Sequence, residues 1–219
     1  MSKWIVIVLL GFGFSDTEDI KINIPTHITE QNDMGLGLFT PRMAPGQVLY
    51  FYEAPPLGSP NERLKPTDSI VFEATAYGGL DIGYQPQWFE PHYVKLDYDM
   101  LLLKVNSIGR RFIEITVNES QNKTLYVPAD SGTYVDWNLF ITQVHSVEIL
   151  EEYPQKIKSQ PLIGSKTIFV EGDKMLSPVH VKGDWLFVTI LDLQYNSKGQ
   201  GWIQWKKDGK LVINYQLLS

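Results

Sequence analysis

The sequence predicts a mainly β protein built from two small barrels, the first of them elaborated by long insertions. Three observations carry this. Short runs of β-branched and aromatic residues recur along the chain, and Gly, Pro and Asp-Gly punctuate them. No stretch keeps the 3.6-residue apolar spacing of a long helix. With 219 residues, 43% hydrophobic and 20% charged, the chain has a globular composition and room for one large β domain or two small ones.

Residues 1–15 open with a positive start and an apolar run from Trp4 to Leu10, then reach Gly13-Phe14-Ser15. Small residues at the two positions a signal peptidase reads outline a secretory signal. That implies a periplasmic or secreted protein. The alternative is a first strand inside the fold and a cytoplasmic protein. The run is too short for a bilayer span, which needs roughly 20 apolar residues. Residues 16–46 read as an extended segment. Within it, residues 19–25 alternate as a short strand stopped by Pro25, and Gly35, Gly37, Pro41, Pro45 and Gly46 mark a connection.

Residues 47–154 form the first predicted domain. A strand at 47–52 is ended by Pro55, Pro56 and Pro60, because proline has no N–H for a ladder. A second strand at 69–77 closes at Gly78-Gly79. Residues 80–91 read as an aromatic, turn-rich loop in which Trp88-Phe89 is either a ligand platform or a cover over an apolar face. Residues 98–105 and 111–117 form a hairpin around Gly109, and 124–127 a strand ended by Pro128. Between 134 and 150 the spacing of Phe140, Val144 and Val147 suits a helical turn. The β-branched content favours a strand beginning near His145.

Residues 155–160 read as a linker, and 161–219 as the second domain. Strands are expected at 167–170, 186–191, 201–205 and 211–215. Leu186, Val188 and Ile190 share one face of their strand, with Trp185, Phe187 and Leu191 on the other. Asp208-Gly209 signals a two-residue hairpin, since both positions tolerate the positive φ of a primed turn.

The run Asp184-Trp185-Leu186-Phe187-Val188, followed by Gly201-Trp202-Ile203, resembles the bacterial SH3-like (SH3b) barrel family. That family pairs an aromatic, two spacers and a valine with a later Gly-Trp-Val-like strand. Upstream, residues 112–115 and 125–127 look like a diverged copy: Phe112 corresponds to Trp185, Ile115 to Val188, and Tyr126 to Trp202. The resemblance implies a non-catalytic adhesion module for a protein, a peptide or a cell-wall ligand. The candidate binding residues are Trp202, Trp185, Trp205, Tyr215, Trp88 and Phe89. Tryptophan and tyrosine suit recognition because they join large apolar area to a polar handle.

Other chemistries find little support. A formal charge of −6 argues against a nucleic-acid partner, which needs concentrated Lys and Arg. The chain has no cysteine, which removes disulfides, thiol nucleophiles and thiolate metal sites. His27, His92, His145 and His180 show no metal-ligand spacing, and no glycine-rich loop announces a nucleotide or other cofactor. Asp97 with Asp99 is a weak carboxylate pair, and Asp130-Ser131-Gly132 is a turn rather than a nucleophile elbow. No catalytic set is therefore nominated. Two competing readings remain: a structural or assembly protein, and an envelope hydrolase acting on peptide or glycan.

Overall fold

The computed structural model describes residues 27–29, 34–54 and 65–217. The expected signal and the strand at 19–25 lie outside them. In chain order the strands are β1 (His27–Thr29), β2 (Gly37–Pro41), β3 (Val48–Phe51), β4 (Asp68–Ala74), β5 (Leu80–Tyr84) and β6 (Tyr93–Lys95). Next come β7 (Met100–Gly109), β8 (Phe112–Asn118), β9 (Lys123–Pro128), β10 (Gly132–Asp136), β11 (Ser146–Ile149) and β12 (Met175–Lys182). The last are β13 (Trp185–Leu191), β14 (Ser197–Gln204), β15 (Lys206–Lys207), β16 (Lys210–Leu211) and β17 (Ile213–Gln216). One short helix, α1 (Trp137–Ile141), separates β10 from β11. The Asp136 carboxylate caps it, accepting from the Asn138 and Leu139 N–H groups at 2.9 and 3.1 Å, as an N-cap aspartate should. No helix among the described residues is long and apolar enough to cross a membrane.

Two sheets carry the molecule, and they share one plan. The first runs β10-β2-β7-β8-β9, with β1 and β6 also paired to β7; the second runs β17-β11-β12-β13-β14. In each, the last strand lies beside the first and the remaining three follow as a meander, all antiparallel. The register matches as well. In β7–β8 the pairs are Val105–Ile115, then, past a bulge at Asn106, Ser107–Glu114 and Ile108–Ile113. In β12–β13 they are Pro178–Val188, then, past a bulge at Val179, His180–Phe187 and Val181–Leu186. The next hairpin continues the match, Glu114–Tyr126 corresponding to Phe187–Trp202. The backbone bond from Ala129 N–H to the Arg111 carbonyl (2.9 Å) has its counterpart from Trp205 to Asp184 (3.0 Å). The residues matched in the sequence, Phe112 with Trp185, Ile115 with Val188 and Tyr126 with Trp202, thus hold equivalent ladder positions.

Neither sheet closes into a barrel among the described residues, which corrects the expectation of two closed barrels. The fourth strand meets the segment after the first strand through a single bridge, Tyr52–Tyr126 in one sheet and Lys158–Trp202 in the other.

Each sheet also takes its opening strand from upstream of the boundary expected for it. Strand β2 lies within 16–46 and β11 within 47–154. Residues 155–160, expected as a linker, carry Ile157, which is buried in the core, and the Lys158 bridge. Residues 167–170 form no strand; they supply the Lys158–Thr167 bridge, and Ile168 and Val170 pack against the second core, while β5 forms inside the expected loop and β12 forms despite Pro178.

Two cores meet across β2 and β7. Phe39, Leu101 and Leu103 pack with Leu49, Phe51, Ile70 and Phe72 of the small sheet β3-β4-β5. Leu38 and Leu102, at alternate positions, pack with α1 and with Leu186, Val188, Ile190, Ile203 and Trp205. Strands β2 and β7 are therefore covered on both faces.

Candidate binding surface

Strand β13 alternates strictly. Leu186, Val188 and Ile190 are fully buried, while Trp185, Phe187 and Leu191 are half-buried on the other face. Because β13 lies between β12 and β14, its outer residues face cross-strand partners. His180, Phe187 and Trp202 stand directly opposite one another in a row across three strands. Their ring centroids are 4.9 Å apart for His180–Phe187, 5.0 Å for Phe187–Trp202 and 5.1 Å for His180–Trp202. His180 is exposed and Trp202 half-buried, and Val179 at the bulge is 45% exposed. Trp185 extends the surface in the neighbouring row, between Lys182 and Gln204.

Gly201 explains why this row is so placed. A Cβ there would run into Ile157 and the Lys158 carbonyl. Its absence lets Lys158 approach and exchange two backbone hydrogen bonds with Trp202, at 2.7 and 2.8 Å. Two residues further on, the Gln155 side-chain amide bonds the Gln204 backbone at both ends, 2.6 and 2.7 Å. These contacts hold the edge of β14 and fix where the Trp202 indole stands.

The remaining candidates lie elsewhere. Trp205 is fully enclosed in the second core, its indole N–H donating to the Gly183 carbonyl at 3.0 Å. It locks a turn and presents nothing to a ligand. Phe89 is buried and stacks on Phe51, with centroids 6.1 Å apart. Trp88 is half-buried under the Lys123 ammonium, 3.7 Å from its ring centre. Both rings lie against Phe51, the arrangement of the cover reading.

Tyr215 stands at the junction of the two sheets. Its hydroxyl shares a hydrogen bond with His92 Nε2 at 2.6 Å, and Trp137 and Phe140 pack around its ring. His92 Nδ1 lies 3.4 Å from Glu119, whose other oxygen is 3.3 Å from Lys104. A cavity of about 250 Å³ opens beside Lys104, Glu119, His92 and Trp137. Burial acts to raise the Glu119 carboxyl, but His92 and Lys104 outweigh it and hold the group below its usual range. Burial, then the Glu119 charge, pushes the Tyr215 phenol well up. Both causes favour the protonated phenol, which hydrogen-bonds His92. No three His, Asp or Glu side chains among the described residues cluster to hold a metal.

No family model, curated protein or solved structure matches the chain.

Two residues escaped the sequence reading. His180 belongs to the aromatic row, and no strand was expected over 175–182 to place it there. His92 meets partners that lie far along the chain in Glu119 and Tyr215, so no local spacing announced it.

Proposed function

We propose that the protein is a non-catalytic binding module of the cell envelope. It recognises a protein, a peptide or a cell-wall component through the surface formed by His180, Phe187, Trp202 and Trp185. One observation carries this: three rings in mutual contact, on three adjacent strands, face outward from a sheet whose other face is core. An aromatic cluster on a rigid sheet offers large contact area at little entropic cost, as recognition surfaces do. Both sheets are assigned to the SH3-like type. The shared strand order, the matching bulges and the two equivalent bridges support that assignment. The envelope location rests on the signal-like character of residues 1–15.

The hydrolase alternative would centre on the Glu119–His92–Tyr215 chain, where acid–base groups do converge beside a cavity.

The test compares wild type with Trp202→Ala as immobilised baits for solubilised envelope material. Capture by the wild type and loss in an equally folded variant is the expected result. Equal capture would remove the aromatic row as the binding surface.

A further inference from the structure

The two matching sheets differ at one edge. In the first sheet, β1 lies along β7 beyond the end of β2, with Thr29 opposite Ser107, Ile28 opposite Ile108 and His27 opposite Gly109. The equivalent residues of β12 are His180, Val181 and Lys182. On that side of β12, β11 pairs only at Val147–Leu176, and no strand of the described residues lies against 180–182. The exposures agree: Ser107 is 1% exposed, whereas His180 and Lys182 are exposed. Among the described residues the second sheet thus has an open edge at the place where its counterpart holds β1, and that edge borders the aromatic row.

We propose that an extended segment of a partner protein adds to β12 at His180–Lys182, antiparallel, in the place that β1 takes on β7. This rests on the reading of the aromatic row as a binding surface, and it names the ligand class as a β-strand peptide. Main-chain hydrogen bonds to an open edge supply affinity, and alternate side chains supply specificity. The residue opposite His180 falls on the outer face, beside Phe187 and Trp202, and is apolar or aromatic. The residue opposite Lys182 falls on the same face. Lys182 has no acidic partner among the described residues, so an aspartate or glutamate fits there. A second copy of the chain fits poorly: pairing two β12 edges about Val181 would set each Lys182 against the other copy's His180. Pro178 and the bulge at Val179 also limit a long self-paired ladder.

The probe is the peptide acetyl-Thr-Asp-Val-Phe-Thr-amide, titrated into the full chain while backbone amides are followed by NMR and hydrogen exchange. It should bind and protect amides within 179–182. N-methylating the peptide in the register that faces β12 should weaken binding at least tenfold, and the other register should matter little. Lys182→Glu should reverse the preference between this peptide and its Lys-for-Asp counterpart. Absence of binding at millimolar peptide, or indifference to N-methylation in both registers, overturns strand addition. If captured envelope material is nonetheless lost in Trp202→Ala, the aromatic surface stands and only the strand edge falls. Protection of 179–182 that grows with protein concentration, without peptide, would assign the edge to a second copy and also overturn the proposal.

Discussion

Two tryptophans three residues apart have opposite roles: Trp202 stands on the outer face of β14, and Trp205, one residue past its end, turns into the core. Trp205 is fully buried, so Trp205→Ala should cost about 3–5 kcal/mol, the range for emptying a core aromatic site. Trp202 makes its ring contacts on the outer face, where cross-strand pairs contribute roughly 0.2–1 kcal/mol each. Trp202→Ala should therefore destabilise far less. Urea unfolding of both variants checks the contrast, and comparable losses would place Trp202 in the core. Glu119 makes a second case. Its carboxyl is held below the usual range in the folded chain by His92 and Lys104 against burial. The resulting stabilisation is complete above the ordinary Glu range and is lost as pH falls through the depressed folded value. Glu119→Gln should flatten the fall in unfolding free energy between pH 7 and pH 3; an unchanged slope would deny the coupling. The Trp185 to Leu191 alternation was readable from residue types alone. The Glu119–His92–Tyr215 chain was not, because only the tertiary fold brings its members together.

At the level of elements, turns and close approaches are what single substitutions should expose. Asp208 and Gly209 both have positive φ, 51° and 73°, in the hairpin joining β15 to β16. An added Cβ at Gly209 would meet the left-handed penalty of about 1–2 kcal/mol. Gly209→Ala should lower stability by that order, and Asp208→Gly should be tolerated; thermal melts distinguish them. Gly201→Ala should push Lys158 away from β14, seen as faster hydrogen exchange at the Lys158 and Trp202 amides. Retained protection would mean that the strand can move aside without losing the bridge. The Asp-Gly turn and the β7–β8 hairpin were legible because their signals are local. Strands β2 and β12 were not. Leu38 and Phe39 are buried on opposite faces, so β2 shows no alternation, and the Pro178 of β12 sits beside a bulge, where a sheet tolerates it.

Across the whole molecule, the matched registers make the two sheets variants of one plan, joined by the shared packing of β2 and β7. Leu38 and Leu102 belong to the second core although their strands belong to the first sheet. The halves should consequently unfold together. Fluorescence and far-UV circular dichroism should report one coincident urea transition, and two separated transitions would show that the junction does not couple them. The plan was partly legible in the sequence: the pairings of Phe112 with Trp185 and Tyr126 with Trp202 pointed to it. The boundaries were hidden because each opening strand is separated from its sheet partners by a long connection.

The central claim is that the second sheet has kept its outer face for a partner. It is tested most directly by immobilising wild type and Trp202→Ala, matched in circular dichroism and melting behaviour, and measuring the envelope material each retains. Retention by the wild type and its loss in the variant is the expected result. Equal retention by both would contradict the claim.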